Sequence, residues 1–333
     1  MSKKINFITE IASSHDGSIK TVEYLIKKHI KSSSRYIKFQ IFKANKLYNK
    51  NDKNYKKFLK IQINFNNWKK IINKYKNKIN IILEPFDSES YEFCKLFKTK
   101  VDIKISTSET DNLILIKDSL KNFKKVFINL SGYSFEEIKI VLKSIKNEYK
   151  RKIVLMYGFQ AYPSLPDQLR FDLFDYFQSK GFKYGYADHS IYGFSNDLIK
   201  CLFLAINKKC MYFEKHVCKK ISMKPNDYIS SVEFDDLERI INLSSDYFNI
   251  GKKKKSLEVT SSEKNYANIM HKKAFLKIEL KKGNLLNLNN ILFLRSSSKE
   301  KGINRLFFLK KKIILKKNLK RNRLIKKKNL LIK

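Results

Sequence analysis

Short runs rich in β-branched and aromatic residues alternate eight times with longer, lysine-studded segments, and few folds accept that rhythm. The runs are INFITEI (5–11), YIKFQIF (36–42), INIILEPF (79–86), VDIKIS (101–106), KVFINLS (125–131), KIVLMYGF (152–159), KYGYADH (183–189) and MYFEKHV (211–217). Between them, stretches such as IKTVEYLIKKHI (19–30) repeat apolar residues at spacings of three and four, the period of a helix with one buried face. Ser134 with Glu137 fits a capping box, and Asp87 suits an N-cap after the third run. Eight strand–helix alternations predict an α/β fold, a closed (β/α)8 TIM barrel, rather than an open sheet. No glycine-rich phosphate loop follows the first strand, which argues against a dinucleotide fold.

In such barrels the chemistry gathers at the carboxyl ends of the strands. There the chain places Glu10, Lys38, Gln40, Glu84, Lys104, Gln160, Asp188, His189, Glu214 and His216. Lys38 and Gln40 are two apart, as are Glu214 and His216, so each pair points the same way from its strand. A purely structural barrel has little reason to collect ionisable groups at one rim, so the pattern favours an enzyme. A lone histidine at a strand end is more often a core residue than a ligand. His189 and His216, however, end neighbouring strands and can converge. Two imidazoles with oxygen ligands and open positions suit a Lewis-acid divalent ion, Mn²⁺ or Mg²⁺, without choosing between them.

The formal charge of +40 invites a nucleic-acid reading. Lysine is spread over nearly every helical segment alongside abundant Asn and Ile, which looks like codon bias rather than a binding face. A nucleic-acid partner is therefore not expected. Only residues 310–333 concentrate the charge, with 12 Lys and Arg and no acid. No apolar run approaches the roughly 20 residues of a membrane helix, and the opening MSKKINFITEIA runs straight into strand-like alternation, so no secretory leader is expected. Four cysteines without a CxxC pair fit reduced thiols in a cytoplasmic protein. We expect a barrel over 1–250, a linker over 251–265 and a small second domain over 266–333. Within that last part, LKKGNLLNLNNIL (280–292) and LKRNRLIKKKNLL (319–331) form a weak internal repeat, which suggests two similar halves packed together.

Several segments, in order, resemble the sialic acid (N-acetylneuraminate) synthase family. TEIASSHDGS (9–18) is similar to its opening Glu-Ile-x-x-Asn-His-x-Gly, and YIKFQIF to its Val-Lys-Phe-Gln strand. EPFDSES (84–90) and DIKISTSETDN (102–112) resemble the Pro-Phe-Asp and Lys-Ile-x-Ser-x-Glu-x-x-Asn segments. YADHSIYG (186–193), FEKHV (213–217) and KPND (224–227) match Ser-Asp-His-Thr, Glu-Lys-His and the Pro-Gly-Pro-Asp turn. The end unit, with FLRSS (293–297), resembles the family's antifreeze-like (SAF) domain.

The resemblance implies condensation of phosphoenolpyruvate with an open-chain N-acetyl amino sugar to a nine-carbon 2-keto acid, with release of phosphate. It implies that His189 and His216 bind the cation, usually manganese, and that Gln40 orients the ion's water. Lys38 and Lys104 would hold the phosphate and carboxylate, with hydroxyls from Ser106, Thr107 and Ser108. Glu10 and Asp227 are candidates for orienting the sugar and managing protons. Glu109, Tyr162, Gln160 and Asp188 complete the implied site. Arg295 would reach the sugar's N-acyl group across a domain-swapped homodimer.

The chain departs from the family pattern at several points. Tyr157 stands where histidine is common, Gln160 where asparagine or serine is, Ala187 for serine, Glu84 for threonine and Ser14 for asparagine. RSSSKEKG (295–302) lacks the usual Arg-Pro-Gly-x-Gly turn. These changes leave the histidines, lysines and Tyr162 but alter the surface around phosphate and sugar. They keep open a changed amino sugar, a different aldehyde on the same fold, or a barrel that has lost catalysis. The remote alternative is a nucleic-acid binder using the basic tail.

Overall fold

Each apolar run becomes a strand: β1 (Asn6–Glu10), β2 (Tyr36–Ile41), β3 (Asn80–Pro85), β4 (Asp102–Ile105), β5 (Val126–Asn129), β6 (Ile153–Tyr157), β7 (Lys183–Asp188) and β8 (Tyr212–Val217). Neighbours in sequence pair in parallel throughout, and β8 returns to β1 with Asn6 opposite Tyr212 and Glu10 opposite His216. The fold is therefore a closed eight-stranded α/β TIM barrel. A short β9 (Ser231–Val232) pairs beyond the end of β8, His216 opposite Ser231. The computed structural model describes residues 5–159, 161–250, 258–296, 300–309 and 312–332. They fall into two units, Met1–Lys253 and Lys254–Lys333.

The strands are buried on both faces, as parallel strands covered by helices must be. Outward-facing Ile37, Phe39, Ile41 and Ile103 join Val22, Leu25 and Ile26 of the helix Ile19–Lys31 in one large core. Capping fixes where these helices start. Asp87 Oδ1 accepts from the Ser90 amide at 2.8 Å, and Ser134 with Glu137 forms the expected capping box. Inside the barrel, Ile8, Tyr36, Ile82, Phe127, Val154, Met156 and Tyr212 fill the lower half. At the bottom the Lys125 ammonium donates to the Tyr36 hydroxyl at 2.7 Å and lies 4.7 Å from that ring's centre. Gly158, just past β6, is required by close approach, since a Cβ there would stand 1.9 Å from the Ala187 carbonyl oxygen.

The second unit holds two antiparallel hairpins, β10 (Lys273–Leu276) with β11 (Ile291–Leu294) and β12 (Ile313–Leu315) with β13 (Leu330–Ile332). The repeat seen in sequence is a physical pairing. Leu280 and its counterpart Leu319 exchange both backbone hydrogen bonds, at 3.0 and 2.9 Å. The equivalent turn residues Gly283 and Asn322 both adopt left-handed backbone, and their amides reach Leu315 and Leu276 on the opposite half. Ala274, Leu276, Leu286, Ile313, Leu315 and Ile325 form the shared core.

Part of the expected linker is ordered differently. Residues 251–257 lie outside the described residues, but a helix runs over Ser261–Met270. It is started by a Thr260–Glu263 capping box, a Thr-x-x-Glu signal present in the sequence.

Candidate active site

Side chains alternate across a strand, so residues two apart share the barrel interior. On β2 that parity sends Lys38 and Gln40 inward, on β8 Glu214 and His216, and on β3 Glu84. Beyond β4 it turns Ser106 inward after Lys104, and beyond β7 His189 after Ala187. All of these line one cavity of about 470 Å³ at the carboxyl ends of the strands, joined by Ser13, Phe58, Phe86, Thr107, Ser108, Asn129, Tyr162 and Asp227. That size and mixture of polar and apolar wall suit a small organic ligand.

The cavity rests on a layer of ion pairs. Lys38 Nζ meets Glu84 Oε2 at 2.5 Å and Glu214 Oε1 at 2.9 Å, and it also pairs with Glu10. Lys104 Nζ meets Glu214 at 2.7 and 3.0 Å and Glu84 Oε1 at 3.6 Å. Burying such charges is tolerable only because every one is partnered. Burial alone would pull the Lys104 ammonium down and push the Glu214 carboxyl up. Their opposite charges outweigh it, holding Lys104 above and Glu214 below its ordinary range.

At the same rim the His189 and His216 rings stand with centres 5.3 Å apart, and the Tyr162 ring lies 4.8 Å from His189. His189 Nδ1 lies 3.1 Å from the Phe159 carbonyl, which only accepts, so that nitrogen carries the proton and Nε2 keeps its lone pair. Burial lowers the His189 pKa to about 4, and burial with the neighbouring His189 takes His216 well below its usual value. Both rings are neutral donors near pH 7. His216 Nδ1 is buried with no hydrogen-bond partner. Two imidazoles ligating one ion at about 2.1 Å per nitrogen place their ring centres roughly 5 Å apart, so the pair fits a single cation. Among the described residues no group of three His, Cys, Asp or Glu side chains forms a ligand set.

Asp227 stands in left-handed backbone, and its Oδ2 accepts from the Ser13 amide at 2.8 Å, tying the β8–β9 connection to the loop after β1. Burial raises its pKa. The Ser106 and Ser108 hydroxyls lie 2.8 Å apart.

Three expected site residues, Asp188, Glu109 and Glu10, do not line the cavity, and Gln160 lies outside the described residues. Asp188, expected to bind substrate, does not reach the cavity. Pleat parity turns it outward between Ala187 and His189, where its Oδ2 takes the fully buried Lys215 ammonium at 2.5 Å and the Ser190 hydroxyl at 2.6 Å. Glu109 lies past the cavity wall, which ends at Ser108, and its carboxylate accepts from Asn112. Arg295 is an exposed residue of the second unit, just after β11. Glu10 is wholly buried and pairs with Lys38.

Sequence reasoning gave no role to Asn129 or Phe58. Asn129 carries the same signal as the others, a polar residue at a strand's carboxyl end. Phe58 sits on the helix Tyr55–Ile61 between β2 and β3 and carries no local mark.

The barrel is shared with known proteins. A spore coat polysaccharide biosynthesis protein E from Chromobacterium violaceum superposes with a TM-score of 0.78 at 18% identity, covering 98% of this chain and 100% of that one. N-acetylneuraminic acid synthetase from Leptospira borgpetersenii superposes with 0.68 at 20% identity, over 81% of this chain and 93% of that one. In sequence, the N,N'-diacetyllegionaminic acid synthase of Campylobacter jejuni is 26% identical over 97% of this chain and 99% of its own. The NeuB family signature matches residues 25–255, more than half of the chain and the barrel from the middle of the first helix onward. On that match and that fold, the chain belongs to the NeuB family.

Proposed function

We propose that the protein is a phosphoenolpyruvate-dependent, carbon–carbon bond-forming synthase of nonulosonic acids. It would join phosphoenolpyruvate to an open-chain N-acetyl amino sugar and, with one water, yield a nine-carbon 2-keto acid and inorganic phosphate. The observation that carries this reading is the juxtaposition, in one cavity, of two buried ammonium groups with two neutral imidazoles at the rim. The ammoniums suit a small polyanion, and the imidazoles suit an ion that activates an aldehyde.

A divalent cation, Mn²⁺ or Mg²⁺, held by His189 and His216 would polarise the acceptor carbonyl. The chain's own residues supply the rest. Lys38 and Lys104 bind the carboxylate and phosphate, and the Ser106 and Ser108 hydroxyls donate to them. The enol carbon then forms the new bond to the aldehyde carbon. Water adds at C2, and phosphate departs with its bridging oxygen by C–O cleavage. Asp227, its carboxylate held by the Ser13 amide at the mouth, orients a sugar hydroxyl and takes a proton. Gln40, on the cavity wall, orients water.

The second unit, read as an antifreeze-like domain, would bring Arg295 to the sugar of a partner subunit in a homodimer; the self-paired repeat supports that reading. The four buried free cysteines are consistent with a cytoplasmic setting, and among the described residues no helix is long and apolar enough to cross a membrane.

The test is phosphate release from phosphoenolpyruvate with a panel of acceptors, N-acetylmannosamine and bacterial diacetamido sugars. The activity of the Campylobacter relative makes a diacetamido sugar the first to try. Release should require both an acceptor and a divalent ion, and His216→Ala should abolish it while the circular dichroism spectrum stays unchanged. Release without acceptor, or none with any sugar tried, would overturn the proposal.

A further inference from the structure

The ionic layer under the cavity is out of balance. Three carboxylates, Glu10, Glu84 and Glu214, share two ammoniums, Lys38 and Lys104, and all five side chains are buried. Two carboxylates would neutralise the pair. The contacts and the cavity wall together identify the surplus one. Without Glu214, Lys104 would keep only its 3.6 Å contact to Glu84. Without Glu10, Lys38 would keep Glu84 and Glu214 and Lys104 would be unaffected, but Glu10 accepts from the Ala12 amide and lies outside the cavity wall, where an entering ligand does not meet it. Without Glu84, Lys38 retains Glu10 and Glu214, and Lys104 retains two hydrogen bonds to Glu214. Glu84 reaches both lysines, lines the cavity, and is needed by neither.

We propose that Glu84 is an internal anion, seated between Lys38 and Lys104 in the place the phosphate-bearing substrate must take, and so sets how tightly that substrate binds. This rests on the reading of the two lysines as the anion subsite. A polyanion entering the layer meets ammoniums already paired and a net negative cluster. Like charges a few ångströms apart in a partly dry site repel strongly. Binding therefore requires the Glu84 carboxylate to swing off the lysines or to leave its charge behind. The side chain acts on affinity for one substrate and touches neither imidazole nor the sugar-facing Asp227.

The test is calorimetric titration of the full-length chain, wild type and Glu84→Gln, with phosphoenolpyruvate and separately with inorganic phosphate. Glu84→Thr, which removes the charge with a residue suited to a strand, serves as the second variant. Thermal unfolding checks that each variant is folded. Removing a unit charge this close should tighten binding of both anions by at least about tenfold. The KM for phosphoenolpyruvate should fall alongside, while the KM for the acceptor sugar stays within about twofold. Equal or weaker binding of both anions by a folded variant would overturn the proposal. If wild type and variants bind neither anion, the assignment of Lys38 and Lys104 as the anion subsite fails, and this proposal fails with it.

Discussion

Acidification should destabilise the barrel through His29, and the size of the effect can be worked out in advance. His29 lies on the inner face of the helix Ile19–Lys31, 3% exposed, with Nδ1 3.0 Å from the Thr9 hydroxyl. That hydroxyl donates to Ser34 Oγ at 2.9 Å, which in turn donates to the Phe7 carbonyl at 3.1 Å. The chain of donors ends on a carbonyl, so His29 supplies the first proton from Nδ1. Burial lowers its pKa from 6.5 to about 4. Above pH 6.5 the ring is neutral in folded and unfolded chains alike, and the native contribution is intact. Between 6.5 and 4 the unfolded chain takes the proton and the folded one does not, so stability falls as pH falls. At pH 5 the loss amounts to about 2 kcal/mol.

The measurement is urea unfolding at pH 7.5 and pH 5.0, followed by the emission of Trp68. It is the chain's one tryptophan, and it packs in the barrel core. Wild type should lose about 2 kcal/mol more on acidification than His29→Gln. His15, lowered to about 4 by its own burial, is present in both proteins and cancels. Equal losses in the two proteins, or a wild type that gains stability in acid, would refute the reasoning.

Three further outcomes are expected. Lys215→Met strands the Asp188 carboxylate in the core and should cost about 3–5 kcal/mol by thermal or urea unfolding, with Asp188→Asn added to it restoring part of the loss. Gly158→Ala drives a methyl group into the Ala187 carbonyl, a backbone atom that cannot swing aside, so it should cost at least about 3 kcal/mol or prevent soluble expression. Lys104→Met should lower kcat/KM for phosphoenolpyruvate by at least about a hundredfold in a steady-state phosphate-release assay, with little change in the acceptor's KM.

The barrel was legible in the sequence because parallel strands covered on both faces must be short, apolar and regularly spaced. The runs from INFITEI to MYFEKHV matched β1–β8 to within two residues at either end. Much of the cavity's polar lining was legible by the same geometry, since polar residues ending otherwise buried strands turn into the barrel mouth. Asp188 was misread because its neighbour His189 lies just past the strand, and parity decides which of the two faces in. The helix started by Thr260 and Glu263 lies partly within a stretch read as a linker from its lysine-rich opening, so its start was not expected. Glu84 stood out in sequence as one of the polar residues at a strand's carboxyl end and as a departure from a motif. Its grip on both lysines depends on β2, β3, β4 and β8 meeting in space, which no local pattern encodes.

The packed lower half of the barrel, with Tyr36, Phe127 and Tyr212 gathered around Lys125, closes the floor beneath the cavity. If phosphoenolpyruvate docks at Lys38 and Lys104 as proposed, it would have to arrive before a sugar lodged at Tyr162 and the histidines above it. Steady-state patterns with both reactants varied would accordingly be those of a compulsory sequence, imposed by the shape of the shaft rather than by any moving part.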